Sequence, residues 1–240
     1  MNIQPAGYRS ESARPLTSLL FITPMLVAYE AGIFVFGPEA LRNGADAWLR
    51  GLLKQLGFGQ YFLLPVLAAA ILLAWHHTSR VRWKVNSRVV AGMWVESLVL
   101  GITLLFSARL LALVFFWTKT PFQASLFIGD LHLPTICGYF GAGIYEELLF
   151  RLMLLPAILG LLTWWGSGKR TAAVWAVICS SLLFSLAHYD IFSRVGEEFN
   201  PYSFVFRTLA GIFFAIIFLK RGFGIAAGTH AMYDICTLAW

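Results

Sequence analysis

Long apolar blocks separated by short polar segments dominate the chain. Several of these blocks exceed the roughly 18 residues that a helix needs to cross a bilayer core about 30 Å thick. The blocks cover residues 16–36, 60–76, 90–117, 134–165, 171–190, 202–219 and 223–240. The fourth block is long enough to tilt or to bend near Pro156. The pattern predicts an all-α, polytopic transmembrane helix bundle of about seven spans, within a range of six to eight.

One polar segment, between the first and second blocks, has a pattern of its own. It is interrupted by glycines, and its residues 47–56 alternate apolar and polar positions with helical spacing. An amphipathic helix of this kind lies on a membrane rather than crossing it. The sequence therefore predicts one interfacial amphipathic helix in addition to the spans.

Composition and charge exclude the soluble classes of protein. The 240 residues are 59% hydrophobic and 12% charged, with a mean hydropathy of +0.73, whereas soluble domains carry about 25% charged residues. The net charge of +6 would suggest nucleic-acid binding in a soluble protein. Here the basic residues lie between apolar blocks, and no nucleic-acid motif occurs, so the expected partner of these charges is the lipid bilayer.

The loop charges predict an orientation. With the N-terminus in the cytoplasm, the inner loops hold ten Lys and Arg residues and the outer loops hold five. The outer loops also hold the acids expected to be exposed, among them Asp46, Glu197 and Glu198. The positive-inside rule then favours a cytoplasmic N-terminus and an external C-terminus.

Ten ionisable residues remain inside the predicted spans: Glu30, Glu96, Arg109, Glu146, Glu147, Arg151, His188, Arg207, His230 and Asp234. Each charge near the bilayer centre costs at least about 2.5–3.5 kcal/mol, so each needs a partner or a function. We expect Glu30, Glu96, Arg109 and Arg207 to form pairs between helices, with substrate contact as the alternative.

Two adjacent acids in the fourth block have different surroundings. Glu147 and Arg151 are four residues apart, so they share a helix face and can pair. Glu146 is rotated by about 100° from Glu147 and has no basic residue at helical spacing. An unpaired buried carboxylate is a good proton acceptor, although both acids could also serve only to join helices.

In each of two later blocks, a histidine shares a helix face with a residue four positions away. Phe184 precedes His188 by four residues, and His230 precedes Asp234 by four residues. An acid at this distance can orient an imidazole ring. A single histidine in a span is more often a packing group, but the occurrence of these motifs on three separate spans points to a shared site.

The order Glu-Glu-x-x-x-Arg, Phe-x-x-x-His and His-x-x-x-Asp resembles the CAAX-protease and bacteriocin-processing family of intramembrane glutamic endopeptidases. This family is related to the Ras-converting CAAX endoprotease. The resemblance extends from about Tyr139 to the C-terminus. It implies hydrolysis of a peptide bond near the C-terminus of a membrane-anchored or lipidated protein.

The resemblance also implies roles for the motif residues. Glu146 and His188 would activate a water molecule, and His230 and Asp234 would line an oxyanion site. The supporting positions of the motifs are Glu147, Arg151 and Phe184. The CAAX endoprotease usually has Asn in the last position, and an ionised Asp cannot donate a hydrogen bond. Either Asp234 is protonated, or it orients His230, which alone donates.

A metal centre is the chemical alternative, since two histidines and a glutamate can bind zinc. The H-E-x-x-H spacing is absent, so we favour a metal-independent mechanism without a cofactor. Residues 134–240 are expected to form a catalytic four-helix core, and residues 1–133 the N-terminal spans and interfacial segment of one structural unit. Placed in a bacterial inner membrane, the site would be reached from the outer face.

Two other classes of function stay open at this stage. The buried acids and histidines could form the relay of a proton-coupled transporter, although no repeat is detected. The chain could also be a non-catalytic membrane scaffold that has kept the fold. Neither the substrate nor the oligomeric state follows from the sequence.

Overall fold

A computed structural model of the protein describes residues 7–37, 42–59, 62–116, 132–189 and 197–238. These residues form helices and no strand, which confirms the all-α class. The helices are α1 (Tyr8–Ser12), α2 (Pro15–Phe36), α3 (Gly44–Gln55), α4 (Leu63–Thr78), α5 (Ser87–Phe116), α6 (Leu133–Glu147), α7 (Leu155–Trp164), α8 (Lys169–Leu186), α9 (Pro201–Arg221) and α10 (Phe223–Thr237).

The helices agree with the predicted spans to within a few residues. Within the described residues, five helical stretches are long and apolar enough to cross a membrane: α2, α5, the continuous run from α6 to α7, α8 and α9. The shorter α4 is also apolar, and α10 has 15 residues. The chain is an integral membrane protein, and about seven spans fit this arrangement.

The fourth span changes its winding in the middle. Residues Leu148–Leu154 form a π-helix that joins α6 to α7, and Pro156 lies in the first turn of α7. Proline has no N–H group to bond to the preceding turn, and π-helical turns within α-helices often occur at functional sites. The irregularity therefore begins directly after Glu147, before the proline at which a bend was predicted.

A helix is present where the interfacial helix was predicted, and it begins a turn earlier than expected. The side chain of Asn43 caps α3 by accepting a hydrogen bond from the N–H of Asp46 at 2.8 Å. Ala45 and Leu49 face the bundle, whereas Leu52 is exposed. The Asn43 cap explains the earlier start, because its side chain satisfies a free N–H group of the first turn.

The prediction that Asp46 is exposed is wrong. Asp46 is fully buried, accepts a hydrogen bond from Tyr29 Oη at 2.9 Å, and pairs with Arg50 at 2.6 Å. Arg50 also contacts Glu30 at 3.1 Å, and Tyr145 Oη donates to Glu30 at 2.7 Å. In the sequence, Asp46 belongs to a polar segment interrupted by glycines. Nothing in that pattern indicates that Tyr29 and Arg50 enclose its carboxylate.

Of the other intramembrane charges, Glu96 forms the expected pair between two helices, whereas Arg207 pairs with a loop residue. Glu96 of α5 receives two hydrogen bonds from Arg221, at 2.6 and 2.7 Å. Arg207 of α9 forms a bidentate ion pair with Glu197, with N–O distances of 2.8 and 2.9 Å. This second pair joins a helix to a loop rather than two helices.

Helix α10 lies at the centre of the bundle. It packs against α2, α5, α6 and α9, and every residue from Phe223 to Ala231 is buried. Small residues on α10 allow this close approach. Two of these neighbours, α2 and α5, precede residue 133 in the sequence, and the other two begin at or after it. Helix α10 therefore contacts both predicted parts of the chain. The boundary between the two parts stays a prediction.

Helices α6 and α10 approach each other closely at Gly143. A methyl group added there would lie 2.6 Å from the carbonyl oxygen of Ala227 and 2.9 Å from the N–H nitrogen of Ala231. These are backbone atoms, which cannot move without shifting the helix. The site residues that follow on both helices are therefore held by backbone contact.

We predict that Gly143→Ala destabilises the protein by about 1–3 kcal/mol, the usual cost of overpacking a core. The matched control is Gly160→Ala in α7, where an added methyl group meets nothing within 4 Å. There the better helix propensity of Ala should leave stability unchanged or slightly higher. Thermal unfolding in detergent measures both variants, and equal melting temperatures for the two would contradict the prediction.

Candidate active site

Glu146 faces two imidazole rings from different helices. Its Oε2 lies 3.6 Å from Nε2 of His188 and 3.8 Å from Nε2 of His230. The side chain is 12% exposed, and Oε2 has no hydrogen-bond partner among the described residues. The acid that lacked a local partner in the sequence therefore has two titratable neighbours in space.

The tautomer of His188 follows from its backbone contact. Nδ1 lies 2.8 Å from the carbonyl oxygen of Phe184, and a carbonyl oxygen only accepts hydrogen bonds. Nδ1 therefore carries a hydrogen, and Nε2 of the neutral ring presents a lone pair toward Glu146. Two proton acceptors thus face each other across 3.6 Å.

Glu147 lies on a different face of α6 from Glu146 and is fully buried. Its Oε1 lies 3.1 Å from Nη1 of Arg151, which confirms the pair predicted from the spacing. The same oxygen accepts a hydrogen bond from Nδ1 of His230 at 2.9 Å. Since His230 is 83 residues away in the chain, helical spacing could not indicate this contact.

Aromatic rings enclose these polar groups. The ring of Phe214 stacks on His230 with centroids 4.6 Å apart and an interplanar angle of 12°. The guanidinium carbon of Arg151 lies 4.3 Å from the ring centre of Phe184, and its Nη2 donates to the carbonyl oxygen of Gly211 at 3.1 Å. The rings exclude water and hold the cation by its attraction to their π-faces.

Asp234 lies beside His230 but does not orient it. Its Oδ2 is 3.7 Å from Nε2 of His230, which is too long for a hydrogen bond. Glu147 instead fixes the ring through Nδ1. Of the two alternatives drawn from the sequence, orientation of His230 by Asp234 is thus replaced by orientation by Glu147.

The four candidate catalytic side chains border one cavity of about 600 Å³. It also reaches Thr135 at the start of α6, Ser203 at the start of α9 and Thr237 at the end of α10. Asn43, which precedes α3, lies on the same cavity. The cavity therefore extends toward the end of the bundle at which α3 lies. Glu146 is about 20 Å from the start of α6 at 1.5 Å per residue.

Arg207 is the strongly basic side chain on this cavity among the described residues. It pairs with Glu197, and this pairing lowers the pKa of the Glu197 carboxyl below its usual value. The backbone N–H of Glu197 also donates to the carbonyl oxygen of His188 at 3.0 Å. Arg207 thus supports the segment that carries His188, a role that the sequence did not indicate.

The described residues contain no group of three His, Cys, Asp or Glu side chains arranged to hold a metal ion. Zinc ligands of nitrogen or oxygen lie about 2.0–2.2 Å from the metal. Two ligands of one zinc ion can thus be at most about 4.4 Å apart, a limit that the acid–imidazole separations of 3.6 and 3.8 Å satisfy, and the chelation test described below decides the zinc alternative.

Fold and site together define a polytopic helical membrane protein with a buried acid–imidazole cluster open to one cavity. Residues 129–236 match the family model described as Type II CAAX prenyl endopeptidase Rce1-like. This part of the chain is similar to that family, in agreement with the resemblance carried by the three motifs. Searches of the curated proteins and of the solved structures found no match.

We predict that Glu147→Gln lowers stability by about 3–5 kcal/mol, because Arg151 would keep a buried charge without its carboxylate partner. The matched control is Glu146→Gln on the adjacent residue, which has no hydrogen bond at Oε2 within the described structure and should change stability by less than about 1 kcal/mol. The measurement is thermal unfolding of the purified proteins in one detergent. If Glu147→Gln melted at the wild-type temperature, the buried pair would not have the structural role that we assign to it.

Proposed function

We propose that this protein is an intramembrane endopeptidase of the glutamic type. The family match supports a CAAX-type intramembrane endopeptidase in general. The observation that carries the finer proposal is the position of Glu146, whose Oε2 lies within 4 Å of both imidazole Nε2 atoms at the wall of the cavity. A base so placed can act on a water molecule held beside a substrate carbonyl.

Water activation is assigned to Glu146 and His188. A water molecule between Oε2 and Nε2 would donate a hydrogen bond to each, since both are acceptors. Glu146 takes a proton as the water oxygen attacks the carbonyl carbon of the scissile bond. The same carboxyl group then gives the proton to the departing amine nitrogen, so that the acid returns to its first state.

Stabilisation of the oxyanion is assigned to His230, with Asp234 beside it. Glu147 accepts from Nδ1, so Nε2 of His230 can donate only when the ring carries both protons. The three nearby carboxylates, Glu146, Glu147 and Asp234, favour this charged ring by Coulomb attraction. A protonated Asp234 would supply a second donor at the same place.

The substrate proposed for this site is a membrane-anchored or lipidated protein cut near its C-terminus. The cavity lies within a bundle of apolar helices and extends toward the end that carries α3, so an extended segment of an anchored protein could enter it from that end. We assign the protein to a bacterial inner membrane with a cytoplasmic N-terminus and an external C-terminus. The end of the bundle that carries α3 then faces outward.

The deciding experiment compares the membrane proteomes of cells that express the wild-type chain, Glu146→Gln or no copy. Mass spectrometry of C-terminal peptides should detect shortened C-termini only with the wild-type chain. Loss of the base lowers cleavage by about 10²–10⁴-fold, while Glu146→Gln should still insert and fold. A transporter or a scaffold would produce no shortened C-termini in any of the three.

The control for this comparison is Glu198→Gln, an exposed acid on the loop before α9, which should cleave like the wild type. Wild-type cleavage by the Glu146 variant would remove the proposed base. The same assay tests the mechanism: the metal-independent proposal requires activity to persist after chelation. Loss of activity with a chelator and its return with zinc would favour the metal enzyme.

Cysteine labelling in intact cells can show which loops face the outside of the cell. The variants are made in a chain that lacks the three native cysteines. We expect an impermeant reagent to label Glu198→Cys, which lies at the end of the bundle that carries the cavity. It should not label Ser167→Cys, between α7 and α8. Labelling of Ser167→Cys from outside would reverse the proposed orientation. The loop position Ser193 would serve the same purpose but lies outside the described residues.

A further inference from the structure

The imidazole ring of His230 is held in its own plane by one hydrogen bond. Its Nδ1 lies 2.9 Å from Oε1 of Glu147, and this contact fixes one atom of the ring. The bond to Cβ and one hydrogen bond still leave the ring free to tilt. Since Nε2 lies 3.8 Å from Oε2 of Glu146, a tilt would move it relative to that carboxylate. A contact with the face of the ring is what prevents such a tilt.

Phe214 of α9 supplies this face contact. Its ring centre lies 4.6 Å from that of His230, and the two planes differ by only 12°. Phe184 meets the same imidazole edge-on, with centroids 5.9 Å apart and an interplanar angle of 73°. Both arrangements are favourable for aromatic rings. Phe214 is 1% exposed, and a close-packed interior holds such a side chain in one rotamer, so its ring is a fixed surface for the imidazole.

The position of Phe214 depends in turn on Arg151. Gly211 precedes Phe214 by three residues, about one helical turn, and its carbonyl oxygen accepts a hydrogen bond from Nη2 of Arg151 at 3.1 Å. A methyl group added at Gly211 would lie 3.0 Å from a backbone atom of α8, so this turn of α9 rests directly on α8. Arg151 is itself paired with Glu147 at 3.1 Å. Glu147 therefore acts on His230 twice, directly at Nδ1 and indirectly through the guanidinium that holds this turn.

We propose that Phe214 is a positioning residue, whose ring fixes the plane of the His230 imidazole and keeps Nε2 directed at Glu146. Phe214 lies outside the three sequence motifs and acts through His230 rather than on a reacting atom. Its ring face also attracts a cation, which favours the doubly protonated imidazole assigned to the oxyanion site. The effect on cleavage rests on the proposed function, whereas the orientation of the ring does not.

The test compares Phe214→Leu with a matched control, Phe150→Leu. Phe150 is 4% exposed, and both phenylalanines contact the ring of Phe184, with centroids 6.4 and 5.3 Å apart. Both rings also lie near the guanidinium carbon of Arg151, at 5.4 and 5.9 Å. Within the described residues no ring contact joins Phe150 to His230. The two variants should therefore lower the melting temperature by similar amounts, and a difference between them reports on His230.

The first measurement is nuclear magnetic resonance of the purified full chain with ¹⁵N-labelled histidine rings. The wild type should show a signal from the hydrogen on Nδ1 of His230, which is buried and bonded to Glu147, and this signal is assigned by its absence in His230→Gln. Phe214→Leu should lose it through faster exchange with water. Phe150→Leu should keep it, and so should Phe214→Tyr, which retains an aromatic face. An unchanged signal in Phe214→Leu, or equal losses in the two leucine variants, would overturn the proposal.

The second measurement is cleavage of a substrate identified by the proteome comparison. Phe214→Leu should lower kcat by about 10–100-fold, since a misplacement of about 1 Å can cost 10²-fold. KM should stay close to the wild-type value, because a side chain that is 1% exposed offers little surface to a substrate. Phe150→Leu should keep the wild-type kcat, and Phe214→Tyr should retain most of it. Equal kcat values for the two leucine variants would contradict the positioning role. Absence of cleavage by the wild type would instead remove the proposed function, and the histidine spectra would still decide the role of Phe214.

Discussion

The structure depends on one buried carboxylate, that of Glu147. A charge removed from water must be compensated by partners of good geometry, and Oε1 of Glu147 finds Arg151 at 3.1 Å and His230 at 2.9 Å. The first contact is local to one span, and the second joins α6 to the central helix α10. By fixing Nδ1 of His230, Glu147 directs Nε2 of the ring toward Glu146. The order of the two acids in the chain thus separates a structural carboxylate from the one that faces the cavity.

The sequence predicted the features that depend on local spacing. Apolar blocks located the spans, since a helix in lipid needs a continuous apolar length, and the Glu147–Arg151 pair followed from a separation of four residues. The bond from Glu147 to His230, the burial of Asp46 and the support of the His188 segment by Arg207 could not be predicted. Each joins segments that only the packed bundle brings together, and periodicity carries no information about which faces of separate helices meet.

Two connected sets of polar groups meet at α6. One set contains the acid–imidazole cluster, and the other joins Glu30, Asp46 and Arg50 through the hydroxyl groups of Tyr29 and Tyr145. Tyr145 and Glu146 are neighbours in the chain, so the two sets meet at one turn of α6. A displacement of α3 at the membrane surface would therefore act on hydrogen bonds that end one residue from the proposed base.

The position of Asn43 shows that the cavity lining and the acid–imidazole cluster come from different parts of the sequence. It borders the larger cavity from a position well before the Rce1-like segment at 129–236, whereas the acids and imidazoles all lie within that segment. Part of the wall that an incoming polypeptide would touch is thus encoded separately from the reactive groups. For the proposed endopeptidase, exchange of the first 130 residues between related proteins could change the substrate specificity without changing the residues that react.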